Sequence, residues 1–407
     1  MSMIAITGMG VVSPAGSTLD TFWAGLVAGK SVAGVLDVAD TADNDVPRFG
    51  CAVRGIEDLN LVTPKEARRM DPFAWYGVSA GLTAFADAGS PQPDPGRTAI
   101  LVGNAVGGRR TTDKDSRNYY LHGPQQVSPL LPLVSMPNVA AATLAMKLGW
   151  HGPAMTIATT CAAGVDAIGQ AVLTLRANRA DVVLAGGAES TVSALTLAAF
   201  SKLSAMSSRS DAPDKASRPF DKDRDGFVMG EGAGFVVLER LEDAKARGAK
   251  VYGIVAGYGC TSDAYHMSMP LPDGSSAIAA MTQAIQDAGL QASDIVHVNA
   301  HGTSTPLNDR AEATALQKVF GPGGPPVTSI KGVIGHLIGA AGAVEAIATT
   351  LTLQNALVPP TANHQELEPG MEIDVVHGAP RPITPGPALS NSFGFGGHNA
   401  CLVVTPA

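Results

Sequence analysis

Short apolar runs alternate along this chain with longer alanine-rich segments, and glycines stand at the joints. That rhythm constrains the fold more than any other feature. A strand or helix with an apolar side must cover it, and alternating elements do so by stacking as layers of helix and sheet. Strands are expected at Ile4–Thr7, Thr98–Val102, Met155–Ala158, Asp181–Ala185, Gly234–Leu238, Val251–Ala256, Ile295–Asn299 and Ala400–Val404. Helices are expected at Trp75–Ala88, Ala162–Arg176, Ser275–Ala288, Asp309–Phe320 and Gly342–Leu353. The expectation is an α/β fold around a largely buried mixed sheet. A weak internal echo also runs through the chain. GEGAGFVVLERL (230–241) and GFGGHNACLVVT (394–405) each pass from a glycine-rich turn into a strand, with the charged stretch Glu239–Arg247 between them. A boundary near 247 would give two related halves, 1–247 and 248–407.

Composition excludes several classes. The 407 residues carry 28 Lys and Arg against 36 Asp and Glu, a net charge of −8. A duplex nucleic-acid binder would normally carry a basic surplus. No uninterrupted run of about 18 apolar residues marks a membrane span. The start, MSMIAITGMGVVSPAG, lacks a basic flank and is broken at Gly8 and Gly10, so it reads as a strand and turn rather than a signal peptide. Cys51, Cys161, Cys260 and Cys401 have neither metal-ligand nor disulfide-framework spacing. No metal is expected, and the default location is the cytoplasm.

Four separated segments carry chemistry. In GPAMTIATTCAAGVDAIGQ an apolar strand ends at Thr159–Thr160, and Cys161 stands at the start of a small-residue helix. A helix N-terminus favours a thiolate, which makes Cys161 a candidate nucleophile; a buried structural cysteine is the competing reading. In IVHVNAHGTSTPLNDRAEA a strand delivers His301 into a turn, and Asp309 with Glu312 fits a helix-capping box. His297, inside the strand, reads as a satisfied core histidine. In SIKGVIGHLIGAAG, Lys331 and His336 lie among glycines that permit close approach of a ligand. In SNSFGFGGHN, Phe393 and Phe395 alternate with glycines, as a mobile cover or as a tight turn before the last strand. DKDRDGFVMGEG imitates half a calcium loop, but position twelve is Gly232; the interleaved acids and bases read as an ion-paired turn.

Taken together, these segments resemble the 3-oxoacyl-acyl-carrier-protein synthases of the elongating, synthase II type, from Ile4 to Val404. SRPFDKDRDGFVMGEGAG and PKEARRMDPF also match that family's pattern. The resemblance implies a thiolase-like fold of two duplicated halves in five layers, αβαβα, and a dimer. It implies that Cys161 takes an acyl chain from an acyl carrier protein as a thioester. His301 and His336 would serve decarboxylation of malonyl carrier protein, with Lys331 and its acidic partner Glu345 ordering the histidine loop. The N–H groups of Cys161 and Phe395 would form an oxyanion hole. Thr303 and Thr305 would hold the phosphopantetheine arm, and Phe393 and Val106 would line the substrate path. Lys65, Arg68 and Arg69 would dock the carrier protein. No separate cofactor is implied, because phosphopantetheine arrives on the carrier.

His398, the TTCAAG segment, Ser204 and TPLND depart from the fatty-acid pattern and point toward polyketide or polyene pathways. A heterodimer with a chain-length factor is therefore an alternative to a homodimer. A coenzyme A thiolase would need a second catalytic cysteine, for which Cys401 is misplaced. A silent partner subunit would have lost Cys161.

Overall fold

The computed structural model describes residues 2–38 and 48–407. Among them, eleven strands form one hydrogen-bonded sheet. In chain order these are β1 (Ile4–Val12), β2 (Thr98–Gly103), β3 (Ala154–Ile157), β4 (Val182–Glu189), β5 (Gly232–Arg240), β6 (Gly253–Ser262), β7 (His297–Asn299), β8 (Gly323–Thr328), β9 (Ile373–Val375), β10 (Ala388–Gly394) and β11 (His398–Thr405). Their order across the sheet is β9-β8-β7-β10-β11-β6-β1-β5-β4-β2-β3.

Outward from the β6–β1 junction the same pattern occurs twice. β1 and β6 pair antiparallel with β5 and β11, which pair antiparallel with β4 and β10. Parallel strands follow, β2 then β3 on one side and β7 then β8 on the other. β9 is added outside β8. The halves join where Ile4–Ile6 runs antiparallel to 253–255. The strands that carried the sequence echo, β5 and β11, occupy equivalent places.

The helices that position the site are α1 (Pro72–Asp87), α2 (Arg109–His122), α3 (Ala163–Arg176), α4 (Ser275–Asp287), α5 (Pro306–Phe320) and α6 (Ala341–Asn355). α3 and α6 form the middle layer. Residues 341–353 of α6 are all buried, and α3, α6 and strands of both halves share one apolar cluster. α1 covers the outer face of the first half, and α4 and α5 that of the second. This is the five-layer α/β architecture expected from the family resemblance.

Two expectations about glycine fail for one reason. β1 does not turn at Gly8 and Gly10; it runs through them to Val12, and β6 likewise runs through Gly257 and Gly259 to Ser262. A Cβ at Gly8 or Gly10 would lie 2.2 or 2.1 Å from the carbonyls of Ala84 or Ala80 on α1. At Gly257 or Gly259 it would lie 2.0 or 2.2 Å from those of Ala284 or Ala280 on α4. These glycines seat a helix on a strand, and the device is used once in each half.

Candidate active site

The turn that carries Cys161 follows β3. Thr160–Ala162 make a single 3-10 turn, and α3 begins at Ala163. Thr160 has φ 51°, a left-handed conformation that a β-branched residue adopts only when its surroundings hold it there. Two contacts do so. Thr160 Oγ1 donates to the Phe395 carbonyl at 2.8 Å, and Gly394 opposite has no room for a Cβ, which would lie 2.3 Å from that oxygen. Cys161 is 8% exposed. Burial pushes its thiol up to about 11, against the pull of the Lys331 charge and the Phe395 N–H. The thiolate expected at the helix start is therefore not the resting form, because in so enclosed a site desolvation outweighs the helix field.

His336 reaches this sulfur, and His301 packs against His336. His336 Nε2 lies 3.2 Å from Cys161 Sγ, and the rings of His301 and His336 stand edge to face with centroids 5.4 Å apart. Their tautomers follow from their partners. His336 Nδ1 accepts from the Ile338 N–H at 3.3 Å. His301 Nδ1 lies 3.4 Å from Lys331 Nζ, and an ammonium can only donate. Both rings therefore carry their proton on Nε2. Burial, then the Lys331 charge, drives both imidazolium pKa values well below the usual histidine range, so both rings are neutral donors. Lys331 is ion-paired with Glu345, and both are buried. Burial pushes the Glu345 carboxyl up and Lys331 pulls it back.

The His301 loop is held by a residue read differently in the sequence. α5 starts at Pro306 with Thr305 as its N-cap, because proline suits the first helical position. Asp309 and Glu312 thus lie inside the helix and form no capping box. Glu312 instead accepts the backbone N–H groups of His301 and Gly302, both at 2.8 Å, and burial pushes its carboxyl up to about 7. Asp309 accepts the Phe220 N–H at 2.7 Å. The supposed calcium mimic braces the same loop. Arg218 N–H donates to Ser304 Oγ at 2.9 Å, and the Arg224 side chain donates to the carbonyls of Thr305 and Pro306. Its Asp221 is ion-paired with Arg218 just before it, and its Arg224 with Glu368 on another segment. His297 is fully buried and held neutral, yet neither ring nitrogen has a protein partner among the described residues, so it is not the satisfied histidine expected.

The remaining candidates fall into two groups. Thr303 and Thr305 join hydroxyls at 2.9 Å on the His301 loop, and the Phe393 ring lies 5.9 Å from that of His301. The segment read as a turn is a strand, β10, up to Gly394, so Phe395 alone stands on the bend. Phe395 stacks near Phe200, which meets Phe227 edge on, and Phe227 meets His336. Val106 is partly exposed on the loop after β2, where Glu189 accepts the Ala105 N–H at 2.8 Å. Glu189, fully buried and pushed up to about 8, was not singled out in the sequence. Lys65, Arg68 and Arg69 are exposed, on and just after a one-turn helix, Pro64–Ala67. Among the described residues, no cluster of three His, Cys, Asp or Glu side chains could hold a metal, and no helix is long and apolar enough to cross a membrane.

Residues 1–244 match the model of the beta-ketoacyl synthase N-terminal domain, and residues 252–365 that of its C-terminal domain. A 3-oxoacyl-[acyl-carrier-protein] synthase 2 from Vibrio cholerae is 42% identical over 406 residues, covering 98% of each chain. The protein of that name from Synechocystis is 40% identical, covering 98% of this chain and 97% of its own. Among solved structures, the ishigamide ketosynthase/chain length factor superposes with a TM-score of 0.93 at 31% identity, covering 100% of this chain and 99% of that one. A type II polyketide ketosynthase, solved with its acyl-carrier protein and a bound hexaketide, gives 0.90 at 29%, covering 100% and 99%.

Proposed function

The chain belongs to the beta-ketoacyl synthase family of condensing acyltransferases, and from that premise we propose how its residues divide the reaction. It performs the decarboxylative Claisen condensation of a malonyl group with an enzyme-bound acyl chain, in fatty acid or polyketide elongation, on substrates carried by an acyl carrier protein. The observation that supports this division most directly is the convergence of two neutral Nε2–H donors beside one buried thiol.

In the first half-reaction the Cys161 sulfur attacks the acyl thioester of the carrier. The proton lost by Cys161 is balanced by the one gained by the departing phosphopantetheine thiol. The attacked carbonyl becomes an oxyanion, received by the N–H groups of Cys161 and Phe395; one such donor is typically worth ~2.7–4 kcal/mol. His336 donates to the sulfur as charge develops there. In the second, the malonyl carboxylate leaves as carbon dioxide, and its electron pair passes into an enolate whose oxygen accepts from His301 and His336. The enolate carbon attacks the Cys161 thioester, the tetrahedral oxyanion uses the same N–H pair, and the thiolate released takes a proton from solvent. Lys331, paired with Glu345, holds His301 in the donor tautomer needed for this step. No further cofactor enters the scheme. Thr303 and Thr305 hold the pantetheine arm, Val106 and Phe393 line the acyl path, and the two halves divide near residue 247.

Lys65, Arg68 and Arg69 dock the carrier protein; reversing Arg68 and Arg69 to Glu should raise KM for carrier-bound substrate and leave a small thioester unaffected. The protein works as a dimer in the cytoplasm. β3, an edge strand, leaves Met155 50% exposed, and Tyr119, Tyr120 and Leu121 at the end of α2 are exposed as well. A heterodimer with a chain-length factor is the second reading, favoured by the match to the ishigamide pair. Native mass spectrometry alone and with such a subunit separates the two. The reaction itself is tested by mixing the enzyme with acyl and malonyl carrier proteins. One 3-oxoacyl product and one carbon dioxide per turnover are expected; carbon dioxide with no chain extension would refute it.

A further inference from the structure

The nucleophile turn has a twin. Thr160–Ala162 leading into α3 and Ile338–Ala340 leading into α6 are the same device at equivalent places in the two halves. Each opens on a β-branched residue of positive φ, 51° at Thr160 and 49° at Ile338. Aligned on those residues, Cys161 falls on Gly339 and Asp166 on Val344. Aligned on the helix-seating glycines, Tyr258 of β6 falls on Met9 of β1.

The pair Asp166–Tyr258 spans the two halves and is polar where its symmetry counterpart, Val344 with Met9, is apolar. Tyr258 OH donates to Asp166 Oδ1 at 2.6 Å, and the Thr159 hydroxyl donates to Oδ2. Val344 and Met9 belong to the central apolar cluster. The bend at Ile338 has Val344 in place of the aspartate and is held instead by Glu189, which engages the Gly339 N–H, whereas the bend at Thr160 is tied through Asp166. Asp166 is 7% exposed, and burying a carboxylate is costly unless it is well partnered. What the carboxylate adds is a tether. Thr159 precedes Thr160, and Thr160 holds the Phe395 carbonyl at 2.8 Å. Three hydrogen bonds and the Thr159–Thr160 peptide link therefore join β6, α3, the Cys161 turn and the loop after β10.

We propose that Asp166 and Tyr258 are positioning residues which, through Thr159, aim the Cys161 and Phe395 N–H groups at the carbonyl oxygen of the incoming thioester. The proposal rests on the reading of those two groups as the oxyanion pair.

The test compares Tyr258→Phe, Asp166→Asn and Thr159→Val with wild type. Four quantities are read: single-turnover acyl loading, alkylation of Cys161 by iodoacetamide, malonyl decarboxylation, and Tm. Alkylation makes no tetrahedral oxyanion, and decarboxylation uses the histidines. Loading should fall roughly 10- to 100-fold in Asp166→Asn, since small misplacements of reacting groups carry costs of that order. It should fall less in Tyr258→Phe, while alkylation, decarboxylation and Tm stay near wild type. Adding Thr159→Val to Asp166→Asn should cost little more, because both break the same tether. Equal losses in all three rates with a lowered Tm would make the pair a structural brace and overturn the proposal, as would unchanged loading in both Asp166→Asn and Tyr258→Phe. Loading is measured from an acyl carrier protein and from a small acyl thioester in parallel. A wild type loaded only by the small thioester would sink the carrier-protein reading, while the same variants would still decide this one.

Discussion

The turn that carries Cys161 and its twin at Gly339 share a backbone and differ in what they hold. At Gly339 a Cβ would lie 2.7 Å from the Ala105 nitrogen and 2.8 Å from Glu189 Oε2, so no side chain fits. The N–H groups of Gly339 and Ala105 are already engaged by the Glu189 carboxylate. At Cys161 the same kind of turn carries a sulfur and faces the site. A helix start is an anion site in either case. One half fills it with the internal Glu189 carboxyl group; in the mechanism proposed above, the other keeps it for charge that exists only during reaction. The two helix starts also fit into each other. A Cβ on Gly164 would lie 2.6 Å from the Ala343 nitrogen, and one on Gly342 would lie 2.9 Å from that of Val165. This crossing brings the end of the His336 loop to Cys161.

The comparison breaks most completely at Cys161. Cys161→Ala leaves both halves without a nucleophile, and condensation should fall by at least about 10⁴-fold. Malonyl decarboxylation should persist, since His301 and His336 remain; its loss in this variant would show that the sulfur belongs to both half-reactions.

Removing either imidazole tests what the second half contributes. His301→Ala or His336→Ala should each cost on the order of 10²–10³ in condensation rate, and the double variant less than the product, because the pair serves one oxygen. Single-turnover loading followed by a malonyl carrier-protein chase assigns the loss. His301→Ala should load normally and fail in the chase. His336→Ala should also slow loading, because its Nε2 lies 3.2 Å from the sulfur. Complete loss of loading with normal decarboxylation in His336→Ala would make that histidine the base for Cys161 and overturn the assignment.

Acidity sharpens the contrast between an enclosed thiol and an open one. With its pKa pushed up to about 11, Cys161 is a thiol at neutral pH, and its thiolate fraction grows as pH rises toward that value. Alkylation should therefore accelerate about tenfold per pH unit from pH 6 to 9 without levelling. A plateau near pH 7 would mean that the helix start holds a thiolate after all. The smallest effect belongs to the silent turn. Gly339→Ala forces a methyl against the Ala105 nitrogen and Glu189, and overpacking of this kind costs about 1–3 kcal/mol by urea denaturation. An unchanged midpoint would show that the turn has slack.

Much of this was legible in the sequence, and the gaps have physical causes. The alternation of apolar runs with alanine-rich segments gave the layers, and small residues around Cys161, His301 and His336 marked where backbones meet a site. β10 was not read as a strand, because ALSNSFG shows no apolar alternation: Ser390, Asn391 and Ser392 are all buried. Gly8, Gly10, Gly257 and Gly259 were misleading because glycine marks both a turn and a close approach, and only the partner helix distinguishes them. Glu312 and Asp309 looked like a cap because their spacing fits a capping box, although Pro306, suited to a first helical position, marks the true start three residues earlier. The Asp166–Tyr258 pair joins residues 92 positions apart and leaves no local pattern.

The central claim is that one half supplies the nucleophile and the other the donors. Its most direct measurement is the intact mass of the enzyme after incubation with an acyl carrier protein, followed by peptide mapping and a malonyl carrier-protein chase. One acyl group per chain is expected, on Cys161 alone, discharged by the chase as a 3-oxoacyl product. A label on Cys51, Cys260 or Cys401 with Cys161 free, or an adduct on Cys161 that the chase does not remove, would contradict it.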